Sequence, residues 1–400
     1  MEWILWGGMA AMVAAFYALA RFGRAAARPS GPEPEFASRQ HPPRVCVIVP
    51  LSGSDRRMGH CLESVLSQDY PDYEVLLVTR SRDEAAAAMA RRVLEHRPTG
   101  ARPCCRHIAG GPASSRGQKN HGLLAGIDVA ANDREIFVFL DAARETPPTW
   151  LSNLTGPIAR GETAVTTGYH HILPAKAGLP FLGRAVTVLF LQHLQETGWL
   201  TQPWGGNMAV SKNAFEELGV RAVWERNVVD DVSLAAILAQ NGKKAKFVPG
   251  AQLCTPLENE TLGNWCRWLT RQLLYLKFCL PGSWMIAGLL ACLSAILPAA
   301  AIVRIAAAST GMLPAAEVLP DAVLLCLLLG TAFAWKTSHP SPGPPLRWLA
   351  ASFATIFVAA FCHMKTLFAR RILWRGILYT VSRGGCVEEI RDPGDEKRQE

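Results

Sequence analysis

Apolar residues in this chain gather towards its two ends, and that split limits what the chain can become. Residues 2–20 are apolar apart from Glu2, and the stretch from 283 to 364 is rich in Ala, Leu, Ile and Val. Between them, residues 44–280 have the mixed composition of a water-soluble domain with room for a substantial core. The pattern allows one large soluble unit, or two small ones, fixed to a membrane by helices.

Arg21, Arg24 and Arg28 follow the first apolar run. A signal peptide carries its positive charge before such a run. The order here predicts an uncleaved transmembrane anchor over residues 1–22, with the following domain inside. Residues 23–43, rich in proline, read as a stiff polar linker to a domain over 44–282. A second transmembrane region is expected over 283–364, in two or three segments. Residues 284–303 are long enough to span a bilayer. Residues 318–335 are a weaker span, with Pro320 and Asp321 near the start, and 348–364 are a short one. The tail, 365–400, carries Lys365, Arg370, Arg371 and Arg375. The positive-inside rule keeps this tail in the cytosol, whereas three full crossings would carry it outside. Either one segment is re-entrant or interfacial, or the charge rule fails.

A net charge of +8 suits anionic partners such as lipid headgroups and nucleotide diphosphates. Nucleic acid is not expected as a partner, because the basic residues are scattered with no arginine-rich stripe among aromatics. The 11 cysteines form no CxxC pair and no zinc spacing. They read as reduced, buried thiols, and so place the domain on the cytosolic side of the inner (cytoplasmic) membrane.

Within the domain, Arg44-Val45-Cys46-Val47-Ile48-Val49-Pro50, Glu74-Val75-Leu76-Leu77-Val78 and 136–140 read as buried strands, alternating with helices near 62–66, 84–96 and after Lys119. This predicts an α/β domain with a mostly parallel sheet, whose ligands sit at the carboxyl ends of the strands. Pro50, residues 80–83 and Asp141 fall there. Asp141 is followed by an acidic pair, Asp230-Asp231, and then by Arg267-Trp268 just before the second apolar region. A strand-end carboxylate, a second carboxylate and an Arg-Trp beside a membrane are what transfer of a sugar from a nucleotide diphosphate to a membrane acceptor requires.

These residues resemble family 2 glycosyltransferases with the nucleotide-sugar GT-A fold. The resemblance rests on Val47-Ile48-Val49-Pro50, on Ser64-Val65-Leu66-Ser67-Gln68-Asp69-Tyr70-Pro71, and on Gly206-Asn207-Met208-Ala209-Val210 with Ala214-Phe215. Within that group the chain is most similar to ceramide glucosyltransferases and bacterial hopanoid-type transferases. Asp83-Glu84 stands where that group has its first aspartate. Asp141-Ala142-Ala143 lacks the second aspartate of a DxD motif, as that group does. The tail from Ile372 to Gly376, with Tyr379, Gly384-Gly385 and Glu388-Glu389, resembles its closing segment. Two departures stand out. Asn264 occupies the position of Gln or Arg before Arg267-Trp268, and Asp230 that of a Glu.

The resemblance implies a UDP-sugar donor, a divalent metal (Mg or Mn) and a lipid acceptor. Asp141 is the candidate ligand for the metal and the diphosphate; hard cations take carboxylate oxygen and bridge phosphates. A strand-end aspartate can also be a turn or helix cap. Asp231 is the candidate base for the acceptor hydroxyl. Asp230 would raise its pKa by repulsion, while the alternative is a solvated first turn facing the helix dipole. Asp83 and Glu84 would accept hydrogen bonds from the nucleoside, or cap the following helix. Lys119 would lie near the phosphates, or be a surface charge. Arg267 would pair with the diphosphate and Trp268 would offer a flat face to sugar or lipid, unless both belong to a membrane-interface belt. His170-His171 is not credited as a metal site, since neighbours on a strand point to opposite faces. The apolar run 179–200 is either an acceptor cradle or, as expected here, core. Two further readings stay open: a processive polysaccharide synthase, and a non-catalytic membrane scaffold or sugar-binding subunit.

Overall fold

The computed structural model describes Ala18 and residues 42–98, 100–196 and 202–392. The anchor expected over 1–22, apart from Ala18, and the linker up to residue 41 lie outside the described residues. The first half of the domain alternates strand and helix: β1 (Val45–Pro50), α1 (Met58–Leu66), β2 (Tyr73–Thr79), α2 (Ala85–Glu95), β3 (Cys104–Ala109), α3 (Gln118–Val129) and β4 (Ile136–Leu140). The second half adds α4 (Trp150–Ala159), β5 (Val165–Thr167), β6 (His170–Pro174), α5 (Leu179–Glu196), β7 (Asn207–Ser211), α6 (Lys212–Glu217), α7 (Val220–Trp224), α8 (Asp231–Gln240), β8 (Lys246–Phe247), β9 (Leu253–Leu257) and α9 (Leu262–Cys279).

β2 and β4 are buried along their whole length and β1 along all but its last residue, which is why they read as unbroken β-rich runs. They belong to a seven-stranded sheet of order β3-β2-β1-β4-β7-β5-β8. β1 runs parallel to β2 and β4, and β2 to β3. β7 is antiparallel to both β4 and β5. Alternate residues of β1 feed two cores. Val45, Val47 and Val49 pack with Leu62, Trp150 and Leu154, while Cys46 and Ile48 pack with Leu123, Phe139 and Trp224. The reversal at β7 brings the loop before it, Trp204-Gly205-Gly206, against the carboxyl end of β4, where Asp141 N–H donates to Gly206 O at 3.1 Å.

α5 is core, as its sequence suggested. Leu182, Val186 and Leu189 pack against Trp335 and Trp348 from the far end of the chain. α9 begins at Thr261, whose hydroxyl accepts from Asn264 N–H. It drives Trp265 fully into the domain, where the indole N–H donates to Thr187 Oγ1 at 3.2 Å.

Among the described residues three helices are long and apolar enough to cross a membrane: α10 (Pro281–Ser309), α11 (Leu319–Lys336, preceded by a 3-10 turn) and α12 (Pro345–Thr366). Their placements differ. α10 and α11 form a hairpin tied by Arg304 Nε to Asp321 Oδ2 at 3.0 Å and by Ala301 against Leu324. The chain leaving α11 returns to the domain, where His339 Nε2 lies 2.9 Å from Ile172 O. α12 starts from that point and lies along α5, with Thr355 Oγ1 3.4 Å from Gly183 O. It ends beside α9, where Lys277 Nζ donates to Thr366 O, Leu367 O and Ala369 O at 2.6, 2.8 and 3.1 Å. Both ends of α12 therefore touch the soluble domain.

Beyond α12 the basic tail is folded. Through Arg391 it folds as an antiparallel sheet of β10 (Arg371–Trp374), β11 (Ile377–Val381) and β12 (Val387–Arg391). Ile372, Ile377, Tyr379 and Val381 pack against Val228, Val229, Tyr275 and Phe278. Alternating apolar residues were the signal for this sheet; the density of Lys and Arg around them obscured it.

Candidate active site

The site is built at the carboxyl end of β4. Asp141 is the first residue beyond that strand, Lys119 is in the first turn of α3, and Asp230-Asp231 opens α8. Lys119 Nζ lies 3.2 Å from Asp141 Oδ1 and 3.0 Å from Asp230 Oδ2. The Lys119 side chain is 17% exposed and that of Asp230 only 4%. A single ammonium thus bridges two carboxylates that the sequence separates by about ninety positions. Burial opposes the charge on Lys119, but attraction to Asp141, Asp230 and Asp231 outweighs it and raises its pKa. Burial likewise opposes ionisation of Asp141, and Lys119, Arg144 and Arg375 together hold its carboxyl below the usual range.

Asp231 sits in a different balance. Its Oδ2 accepts from Gly205 N–H at 2.9 Å and its Oδ1 from Val232 N–H at 2.7 Å. Burial, and then repulsion from Asp230, push its carboxyl up to about 7 against the pull of Lys119. One acidic pair therefore yields two chemically distinct groups. Asp230 is paired with Lys119, whereas Asp231 is a carboxylate that exchanges a proton near neutrality.

Two glycines make room for this cluster. A Cβ at Gly205 would collide with Asp230 Oδ2 and approach Lys119 Nζ. One at Gly206 would fall 2.6 Å from Asp141 Oδ2. Asn207 fixes the loop, accepting from Trp150 Nε1 at 2.9 Å and donating to Tyr169 O and Ala251 O. Trp204 lies on His170, ring over ring, at 3.8 Å and 9°. Burial keeps His170 neutral. His171 faces the other way, towards His339 at 5.6 Å, so the two histidines do point apart. Arg144 lies 5.4 Å over the Trp204 ring.

The remaining sequence candidates are placed as follows. Pro50 ends β1, next to β4 in the sheet. Glu84 caps the start of α2 and accepts from Arg80 N–H and Ser81 N–H, so its carboxylate serves its own turn. Asp83 is exposed beside it. Arg267 is exposed and bonds Asn264 of its own helix. Trp268 stacks on Arg184, 3.5 Å from the ring centroid, and Arg184 pairs with Glu260. Among the described residues no ion pair joins Arg267 to the carboxylates. Sequence reasoning did not single out Arg144, Trp204 or Arg375. Nor did it separate Arg271 from the other cations of α9, although Arg271 follows Trp268 at helical spacing and shares its face.

A divalent cation fits this site in a restricted way. Among the described residues no three His, Cys, Asp or Glu side chains converge as a metal cage. Asp141 alone, with Oδ2 kept clear by the absent side chain of Gly206, offers a carboxylate oxygen. One carboxylate is enough for a hydrated ion whose other ligands are water and substrate phosphate.

The family model for glycosyl transferase family 21 matches residues 7–387. Among solved structures the chain is similar to a mannosyltransferase from Pyrobaculum calidifontis in complex with GDP-Man and Mn2+. That likeness has 21% identity and a TM-score of 0.54, covering 91% of this chain and 99% of the other. The fold and the family match define a glycosyltransferase of GT-A architecture with apolar helices in its carboxyl-terminal half. The chain belongs to glycosyl transferase family 21.

Removing Lys119 strands Asp230 in the interior. Lys119→Met should cost about 3–5 kcal/mol of stability, the usual penalty for breaking a buried ion pair. Lys119→Met combined with Asp230→Asn should recover part of that loss. Thermal unfolding of the three variants in detergent checks this; equal melting temperatures for Lys119→Met and wild type would refute the clamp.

Proposed function

We propose that the protein is an inverting glycosyltransferase that moves a sugar from a UDP-sugar to the hydroxyl of a membrane lipid, of ceramide- or hopanoid-like kind. The observation that carries this reading is the pairing of a clamped, ionised Asp141 with a near-neutral Asp231 across Lys119. In the step we infer, an acceptor oxygen attacks the anomeric carbon while Asp231 takes its proton. The bond from the anomeric carbon to the diphosphate oxygen breaks, and the diphosphate leaves with the electron pair. The backbone N–H groups of Gly205 and Val232 orient Asp231, and Lys119 stays charged throughout. Asp141 would hold a divalent metal, which when bound supplies neutralising charge to the leaving diphosphate. Trp204 on His170 gives a flat, rigid surface suited to the apolar face of a sugar ring.

The membrane arrangement follows the same reading. Because both ends of α12 touch the domain, we infer that of these three helices α10 and α11 cross, as a hairpin, and α12 does not. α12 then lies in the headgroup layer. It presents Phe357, Phe361 and Met364, with Phe368 just beyond it, as an exposed stripe at helical spacing, and turns Trp348, Ala351 and Cys362 inward. This resolves the conflict between three apolar segments and the positive-inside rule. Among the described residues a two-helix hairpin forms no bundle that encloses a polymer channel, which weighs against a processive synthase.

Two experiments test this reading. If Asp231 is the base, kcat/KM should rise about tenfold per pH unit below 7 and level off above it, since only the ionised form accepts a proton. Asp230→Asn should move that limb to lower pH by removing the repulsion. Asp231→Asn should abolish the limb and cost about 10²–10⁴ in rate; a wild-type rate in this variant would refute the assignment. For topology, an epitope inserted after Gly311 should be reached only from the face opposite the domain, and one inserted after Ser341 only from the domain's own face. Both epitopes on one face would overturn the hairpin.

A further inference from the structure

We propose that Arg375, at the tip of the carboxyl-terminal hairpin, is a ligand of the donor's diphosphate, so that the carboxyl-terminal sheet forms one wall of the donor site. This inference rests on the nucleotide-sugar reading above.

The first argument is local. Trp374 pairs with Ile377, so Arg375-Gly376 is a two-residue hairpin turn. Both residues have positive φ, 50° for Arg375 and 85° for Gly376. A turn of this kind favours Asn or Gly at its first position, because a long side chain there meets the neighbouring backbone. An arginine tolerates that conformation only at a steric cost. Such an outlier points to a task for the side chain.

The second argument is position. The guanidinium hydrogen-bonds the Ser52 hydroxyl, two residues past the carboxyl end of β1. A Cβ on Gly53, the next residue, would lie 3.5 Å from Arg375 Nη1. β1 is flanked by β2 and β4, and Asp141 lies just beyond β4. In open α/β sheets this edge is where ligands bind. Arg375 thus arrives from more than 230 positions away, yet its charge is felt by Asp141.

The third argument is charge balance. Arg375 and Arg271 repel each other, and Lys119 and Arg144 add positive charge around Asp141. Arg271 Nε is buried without a hydrogen-bond partner. Lys119 is matched by Asp141 and Asp230, but Arg144, Arg271 and Arg375 converge on the same place, and each still has room for an anionic partner. A diphosphate is such a partner, and guanidinium groups match phosphate oxygens two at a time.

The sheet is held firmly enough to place this residue. Gly117 N–H donates to Asn227 O, Asn227 Nδ2 to Gly384 O, Val228 N–H to Gly385 O and Val387 N–H to Arg226 O. Gln118 N–H donates to the Tyr379 hydroxyl at 3.2 Å. At the far edge Asp392 pairs with Arg80, just past the carboxyl end of β2. The segment that carries Arg375 is therefore stitched both to the start of α3, which bears Lys119, and to the residues that precede Asp230.

The test is calorimetric titration of the full chain in detergent with uridine, UMP and UDP, and with GDP as a second diphosphate, in the presence of Mg2+. Arg375→Ala should weaken UDP binding at least tenfold and leave uridine binding unchanged. Arg375→Lys, which keeps the charge but loses the fork, should fall between. Ser52→Ala controls for a merely structural clamp. If Arg375→Ala and Ser52→Ala lower the melting temperature equally while Arg375→Ala binds UDP like wild type, the inference is overturned. If wild type shows no preference for either diphosphate over uridine, the donor reading itself fails. A selective loss of diphosphate affinity in Arg375→Ala with an unchanged melting temperature supports it.

Discussion

The ammonium of Lys119 is the interaction on which the rest of this site depends. It is nearly buried, and it neutralises two carboxylates from distant parts of the chain. Without it, Asp141 and Asp230 could not both remain ionised beside Asp231 in so dry a place. With it, the third carboxylate is left to bear the cost of crowding, and that cost appears as a pKa near neutrality. Within the acidic pair that cation holds Asp230, and Asp231 is left to exchange its proton near neutrality. Gly205 and Gly206 follow from the same requirement, since any side chain there would enter the space the clamp occupies.

The outer parts of the molecule converge on this centre from both ends. α9 anchors Trp265 in the core and carries Arg271 inward. The helical hairpin departs from α9 and returns at His339, and α12 closes back onto Lys277. That closure delivers the carboxyl-terminal sheet to the mouth of the site. The apolar helices are thus more than an attachment. They are the covalent route by which residues after 370 reach the strand ends near residue 50.

Much of the frame was legible in the sequence. β1, β2 and β4 were read within a residue or two, because strands buried on both faces leave unbroken β-rich runs. The ceramide-glucosyltransferase-like family and the GT-A fold also held. Asp141, Lys119, Asp230 and Asp231 were each named from the sequence, but their mutual contact was not readable, since nothing local encodes a bridge across that separation. Adjacent residues on a helix diverge by about 100°, so Arg267 and Trp268 could not both face inward, and the structure turns Arg267 out. The carboxyl-terminal sheet was hidden because its turn is Arg-Gly where Asn-Gly would have announced it. The stack of Trp204 on His170 joins segments whose pairing only the tertiary fold determines.

The central claim is that Asp231 activates an acceptor hydroxyl for direct displacement of a diphosphate held beside Asp141. The measurement that tests it most directly is the anomeric configuration of the product. Membranes containing the protein would receive α-linked UDP-sugar and a bacterial lipid extract, and the lipid-linked product would be examined by NMR. The account predicts a β-linked sugar in the organic phase. An α-linked product would contradict it, because a single direct displacement inverts the anomeric centre.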